Sequence, residues 1–149
     1  MKKRKTIIIA AVIIFVSAIV SVCCMNYIEK KNRIEKVEVG DSVSAVIKGD
    51  GSLWMWGYNR RYQLGDGTGK DVKKPKKIMS DVRDISIGEG LAGAIKKDGS
   101  LWVWGYGYST LGDGITEGAK KPKKITNHVK SVKMGQYVNA IIKDDGSLW

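Results

Sequence analysis

Beyond residue 24 this 149-residue chain has no cysteine, and in all it has one histidine, one phenylalanine and two prolines. Its two cysteines, Cys23 and Cys24, are adjacent in an apolar N-terminal segment, so a disulfide framework is excluded. The single histidine, His128, has no cysteine or acidic partner at a metal-ligand spacing. No Lys-Ser/Thr pair follows the glycine-rich turns as a phosphate-binding loop requires. We therefore expect no catalytic site, metal or cofactor.

Acidic residues are also scarce, because 26 Lys/Arg stand against 15 Asp/Glu and give a net charge of +11. The first 33 residues carry seven Lys/Arg and one Glu, whereas the remainder carries 19 Lys/Arg and 14 Asp/Glu. About half of the basic excess therefore belongs to the N-terminal segment and does not point to a ligand.

The N-terminal segment has the pattern of a membrane anchor. Residues 2–5 are Lys-Lys-Arg-Lys, and a mainly apolar run follows from residue 6 to residue 28. Such a run, at about 1.5 Å per residue, spans a hydrocarbon core of about 30 Å. We expect residues 1–28 to form a single-pass signal anchor in the cell membrane, with the basic cluster cytoplasmic and the rest extracytoplasmic. Residues 29–36 then form a charged linker.

Two other interpretations of this segment stay open. The small residues near its end suit a signal peptidase, and cleavage there would give a secreted protein. Residues 20–23, Val-Ser-Val-Cys, resemble a bacterial lipoprotein motif, although Val22 stands where that motif has Gly, Ala or Ser.

The rest of the chain is organised around a repeated sequence. Asp-Gly-Ser-Leu-Trp-Met-Trp-Gly at residues 50–57 recurs at 98–105 with Val for Met, and it begins again at 145–149. The intervals of 48 and 47 residues indicate stacked repeats, which need about three units for stability. Two full repeats and the start of a third predict an incomplete ring, so we expect a truncated chain or the N-terminal part of a longer protein.

Each repeat predicts four antiparallel strands. In the first repeat the strands are expected at 37–40, 44–48, 52–56 and 73–78. Asp-Gly between the second and third strands predicts a hairpin with a type I′ turn. Pro75 places the fourth strand at the edge of the sheet. Because Leu and Trp alternate, both faces of the third strand are apolar, as in a β-propeller blade between two neighbouring blades.

Together these motifs resemble the regulator of chromosome condensation repeat family, in particular its bacterial members, over residues 37–149. The resemblance implies an all-β propeller of seven four-stranded blades, here preceded by the transmembrane helix. The family loop usually reads Asn-X-X-Gly-Gln-Leu-Gly. This chain departs from it at Tyr62 in the first repeat, and at Gly107 and Thr110 in the second. Relatives include a nucleotide-exchange factor for a small GTPase and a secreted β-lactamase inhibitor, but no motif of either is present.

Two groups of residues are candidates for ligand contact. Tyrosines collect in the predicted loops, where binding residues are common. Lysines flank both prolines, and in stacked blades they would form a basic ridge, here called the lysine ridge, that suits anionic polymers or protects a strand edge. The tyrosines are Tyr58, Tyr62, Tyr106 and Tyr108. The lysine ridge consists of Lys73, Lys74, Lys76, Lys77, Lys120, Lys121, Lys123 and Lys124.

These features predict a non-enzymatic, membrane-anchored repeat protein outside the cytoplasm that binds a protein or an anionic cell-wall polymer. We do not expect nucleic acid as its ligand. The alternatives are a targeting module for an enzyme domain beyond residue 149, or a truncated product without function.

Overall fold

A computed structural model describes residues 2–107 and 118–149, with the side chains from residue 14 onward in those ranges. The chain divides into two compact units, residues 1–33 and residues 34–149.

The first unit is helix α1 (Lys2–Asn32), whose last turn carries Lys30 and Lys31 next to the carbonyl end of the helix dipole. Large apolar side chains between residues 14 and 28 are exposed on all sides of the helix; Phe15, for example, is 68% exposed. Among the residues that the structure describes, no helix is long and apolar enough to cross a membrane. The segment expected as a linker, 29–36, is divided between α1 and the first strand, because Ile34 already pairs with Lys48.

The second unit consists of antiparallel sheets that follow the sequence repeats. Each of the first two sheets has four strands in sequence order, and a third has two strands extended by a bridge between Ile142 and Leu148. The predicted four-stranded antiparallel repeat is therefore confirmed. The first sheet contains β1 (Ile34–Gly40), β2 (Val43–Lys48), β3 (Leu53–Gly57) and β4 (Val72–Met79). The second contains β5 (Val82–Ile87), β6 (Leu91–Lys96), β7 (Leu101–Gly105) and β8 (Ala119–Thr126), and the third contains β9 (Val129–Met134) and β10 (Asn139–Lys143).

The register of the strands shows which side chains share a face of each sheet, with leucine on one apolar face and tryptophan on the other. In the first sheet Met55 pairs with Ala45 and Leu53 with Ile47, and all four are buried. In the second sheet Trp104 pairs with Ala92. Trp104 is fully buried in the same apolar cluster as Leu53 and Met55. The tryptophan face of the second sheet thus packs on the leucine face of the first, as expected for consecutive blades.

The third sheet continues this order. Val132 and Met134 of β9 are buried in one cluster with Leu101 and Val103 of β7. As a result β6, in the middle sheet, is buried at five of its six positions, while β2 alternates between buried and half-buried residues. The prediction that both faces of a repeat are covered is confirmed for the second sheet, which has a neighbour on each side.

The Asp-Gly hairpins are confirmed, but the predicted turn type is wrong. Gly51 has a φ of +79°, whereas Asp50 does not have a positive φ. The Asp50 carboxylate instead accepts hydrogen bonds from the Ser52 N–H at 2.9 Å and the Ser52 hydroxyl at 2.6 Å. The Ser52 hydroxyl oxygen in turn accepts one from the Trp54 indole N–H at 2.9 Å. This relay holds Asp50 in a local side-chain turn, and it recurs at Ser100 and Ser147.

Candidate functional site

One end of the sheets carries the β1–β2 turn, the loop after β3 and their equivalents in the second sheet; we call it the loop end. Tyr58 follows β3, and its N–H donates to the Ser42 carbonyl at 3.1 Å. Tyr106 follows β7, and its N–H donates to the Gly90 carbonyl at 2.8 Å. The two side chains are 40% and 56% exposed. Two of the predicted contact tyrosines therefore occupy equivalent, accessible positions on adjacent sheets.

A glycine precedes each of these tyrosines and determines the direction in which the chain leaves the strand. Gly57 and Gly105 have φ values of +121° and +103°, which side-chain-bearing residues rarely adopt. A Cβ on Gly57 would lie 2.3 Å from the Ser42 carbonyl oxygen, and one on Gly105 would lie 2.1 Å from that of Gly90. The close approach of the two backbones requires glycine and sets the position of the tyrosine that follows.

The loop between β3 and β4 is held from inside by buried amide side chains. The Asn59 side chain donates to Asp66 at 3.0 Å and to the Thr68 carbonyl at 2.6 Å, and it accepts from the Leu64 N–H at 3.0 Å. Asn59 and Leu64 are both fully buried. Leu64 therefore anchors the loop in the apolar core, and the loop is an ordered part of that core.

A second buried amide, Gln63, connects the loop to the neighbouring sheet. Its side chain donates to the Asp41 carboxylate at 3.0 Å, and the same Asp41 oxygen accepts from the Gly90 N–H at 2.8 Å. Arg61 and Glu89 form an ion pair at 3.1 Å across the same junction. These contacts fix the loops of the first two sheets relative to each other and make the loop end a rigid surface.

The other two predicted tyrosines differ in placement. Tyr62 is half-buried, and the Lys120 ammonium lies 5.2 Å from the centre of its ring. Tyr62 has a φ of +60°, which explains why the family pattern has glycine at this position. Tyr108 lies outside the described residues.

Sequence reasoning missed one exposed tyrosine of the loop end. Tyr137 lies between β9 and β10 and is 66% exposed. It stands two residues after Gly135, the same position that Ser42 holds after Gly40 and Gly90 holds after Gly88. The register of these glycines was the signal that places Tyr137 with the other loop-end residues.

The lysine ridge lies on β4 and β8, each of which is the last strand of its sheet. Both strands read Lys-Lys-Pro-Lys-Lys, contain no acidic residue, and expose all eight lysines. The Gly67 N–H of the first loop donates to the Lys120 carbonyl at 3.0 Å, which joins the first repeat to β8. The predicted edge position of both proline-containing strands is therefore confirmed.

The Asp66 carboxylate contacts the lysine ridge. Its side chain is 2% exposed and lies 2.7 Å from the Lys76 ammonium. Burial alone would raise its pKa, but hydrogen bonds from Lys76, Thr68 and Asn59 outweigh that effect and lower the pKa of Asp66 to about 2. Asp66 is thus an ionised structural residue that holds the loop.

Residue types that bind metals are not gathered together in the described part of the chain. Within residues 14–107 and 118–149, no group of three His, Cys, Asp or Glu side chains could hold a metal ion. The ring of His128 is 85% exposed, and its Nδ1 lies 3.9 Å from Asp144. The arrangement suits surface recognition, with tyrosines at the loop end and lysines on the outer strands.

Comparison with known proteins agrees with this architecture. Residues 50–95 match the regulator of chromosome condensation (RCC1) repeat. A comparison with curated proteins finds no match.

Solved structures match over most of the chain. The crystal structure of human WBSCR16 has a TM-score of 0.71 at 20% identity, covering 78% of this chain and 32% of that protein. Yeast RCC1 (Prp20), solved bound to Kap60, has a TM-score of 0.64 at 24% identity, covering 79% and 29%. Prp20p from Saccharomyces cerevisiae, whose binding to Gsp1p and histones was studied with its structure, has a TM-score of 0.63 at 20% identity, covering 72% and 30%. The chain therefore spans about a third or less of the length of these proteins, and the likeness concerns the fold.

Proposed function

We propose that this chain, whose residues 50–95 match the regulator of chromosome condensation (RCC1) repeat, is a non-enzymatic binding protein of that repeat family, anchored in a membrane with its repeats outside the cytoplasm. The observation that carries the binding function is the loop end, where accessible tyrosines repeat on adjacent sheets. The partner that suits this surface is another protein.

Two features of the loop end and one comparison support protein recognition. Tyr58 and Tyr106 offer large amphipathic side chains, a residue type that is enriched at protein interfaces. The Asp41–Gln63 network and the Arg61–Glu89 pair hold the surface rigid, which lowers the entropy lost on binding. Proteins with solved structures of this fold also bind proteins, since yeast Prp20 was solved bound to Kap60.

The anchor is supported by the sequence of the N-terminal segment. A mainly apolar run of 23 residues, 6–28, follows four consecutive basic residues. Its length suits a single span, and the basic flank favours a cytoplasmic N-terminus. The repeats, free of cysteine, are chemically suited to either side of the membrane.

Photo-crosslinking in intact cells tests the binding function. A photoreactive phenylalanine analogue is placed at residue 58 or 106 of the full chain, and at Lys97 as a control. Lys97 is exposed next to the β6–β7 turn, away from the loop end. We expect one discrete protein adduct of the same mass from residues 58 and 106 and none from residue 97. Equal labelling at all three positions, or no adduct at either tyrosine, would contradict the proposal.

A further inference from the structure

The basic charge of the repeat region is concentrated in one place. Residues 34–149 carry 19 Lys/Arg and 14 Asp/Glu, but without the eight lysines of the lysine ridge they carry 11 and 14. The repeats would therefore be acidic if the ridge were removed. A generally lysine-rich composition does not account for this, because the excess lies on two equivalent strands.

The position of the lysine ridge makes that charge available to a ligand. All eight side chains are exposed, and neither β4 nor β8 contains an acidic residue. Asp66, which pairs with Lys76, is only 2% exposed, so its carboxylate does not screen the solvent side of the ridge. At about 3.3 Å per residue, each row of lysines extends over roughly 13 Å.

Protection of a sheet edge explains only part of this pattern. One or two charges, or the proline alone, discourage pairing with another strand. Each strand has four lysines and a proline, in the same arrangement at an interval of 47 residues. Like charges this close repel each other, and the repulsion is relieved when an anion binds.

We infer that the lysine ridge binds a linear polymer of phosphate groups, an inference that rests on the proposed function in taking the chain as a binding protein. Ammonium groups on extended strands can each contact one phosphate as point charges. Neither β4 nor β8 contains an aromatic residue on which a nucleic acid base could stack. The nearby Tyr62 ring is half-buried, with the Lys120 ammonium 5.2 Å from its centre. The recognised feature is therefore the row of phosphates, without bases.

Titration with inorganic polyphosphate tests this inference on the full chain in non-ionic detergent. Fluorescently labelled polyphosphate is the probe, and its anisotropy is followed at several salt concentrations. The ridge variant is K74Q/K77Q/K121Q/K124Q, which keeps Lys76 on Asp66 and Lys120 on Tyr62. The matched control, K70Q/K97Q/K130Q/K133Q, removes the same charge from exposed lysines elsewhere in the repeats.

We expect the ridge variant to bind at least roughly tenfold more weakly than the unmodified chain. The slope of log affinity against log salt concentration should become less steep by roughly 3. The variant loses four ammonium groups, and each phosphate contact accounts for about 0.7 of the slope in complexes of single-stranded nucleic acid. The control should change by less than about threefold, because long-range attraction is screened by salt. Lysine-to-arginine changes at the four ridge positions should preserve binding, which separates lost charge from lost folding.

Several results would overturn the inference. Equal weakening in the ridge variant and the control would mean that only net charge matters, and failure of the arginine variant would point to a folding defect. Tighter binding of single-stranded DNA than of polyphosphate at equal charge would indicate base recognition. Ridge-dependent binding to anionic vesicles that polyphosphate does not displace would indicate a lipid surface. The ridge variant should still form the loop-end adduct, so the two proposals can fail independently.

Discussion

Asp66 shows how a single carboxylate can stabilise a whole loop. It accepts hydrogen bonds from Asn59, from the Thr68 N–H and from Lys76, so its ionised form is strongly favoured in the folded state. Protonation would remove the attraction between this carboxylate and the Lys76 ammonium and weaken its hydrogen bonds as an acceptor. The loop that carries Tyr58 and Tyr62 is therefore tied to the charge of Asp66.

The first prediction concerns acid stability. The pKa of Asp66 is lowered from 3.8 to about 2, so its contribution is complete above about pH 4 and is lost as the pH falls through about 2. We expect Asp66→Asn to lower the free energy of unfolding at pH 7 by on the order of 1–2 kcal/mol, after allowance for solvent screening. The difference between the unmodified chain and the variant should shrink towards pH 2, as followed by urea unfolding with far-UV circular dichroism.

An exposed carboxylate provides the control. Asp144→Asn removes a charge from a side chain that is 57% exposed, so it should change the stability little. A constant difference between the unmodified chain and Asp66→Asn from pH 7 to pH 2 would show that Asp66 does not act through its ionised form.

For single residues, the sequence predicts which side chains lie in turns and loops better than it predicts the turn type or the contacts that those side chains make. The Asp-Gly pairs indicate hairpins, yet the Ser52 hydroxyl, one position beyond the pair, decides the turn type by hydrogen bonding to Asp50. Tyr62 is expected in a contact surface because it lies in a loop. Its position under Lys120 depends on a residue 58 positions later, which no local pattern reveals.

Between elements, the tryptophan of one sheet provides the contact with the sheet before it. Trp104 is fully buried, and its indole N–H donates to the Gln63 carbonyl of the preceding loop at 2.9 Å. Trp56 is the equivalent residue of the first sheet and is half-buried. The same residue type at the same strand position thus has two environments in this structure.

This difference gives the second prediction. Trp104→Ala leaves a cavity between two sheets and an unpaired carbonyl, so we expect it to lower the free energy of unfolding by about 3–5 kcal/mol. Trp56→Ala should cost less than half as much. The measurement is the urea midpoint of the full chain by far-UV circular dichroism. Equal losses for the two variants would contradict the packing of the tryptophan face of the second sheet on the first.

The alternation of Leu and Trp and the regular spacing of the repeats make the strands predictable from the sequence. Pro75 and Pro122 each indicate an edge strand, and β4 and β8 are the last strands of their sheets. The start of β1 is three residues earlier than predicted, because Ile34 and Lys36 already pair with Lys48 and Ile47 of β2. The charged composition of residues 29–36 does not reveal this pairing within the first sheet.

Across the whole molecule, the chain has two surfaces with distinct chemistry. The loop end offers tyrosines on a rigid frame, and the lysine ridge offers positive charge on the outer strands. The first two repeats carry both at equivalent positions. The sequence indicates these groups through their spacing, and the register of Gly40, Gly88 and Gly135 indicates the end that Tyr137 occupies, but the spacing does not show that Tyr62 lies half-buried against Lys120.

The most direct test of the proposed function is where the native chain is found in the cell. Membranes are washed with alkaline carbonate, and intact cells are separately treated with a protease. We expect the full-length chain to stay in the washed membrane pellet, because a span of residues 6–28 resists extraction. We also expect the protease to remove the repeats from intact cells, leaving an N-terminal fragment. Release of the full-length chain by carbonate, or complete protection of the repeats in intact cells, would contradict a membrane-anchored binding protein that faces the exterior.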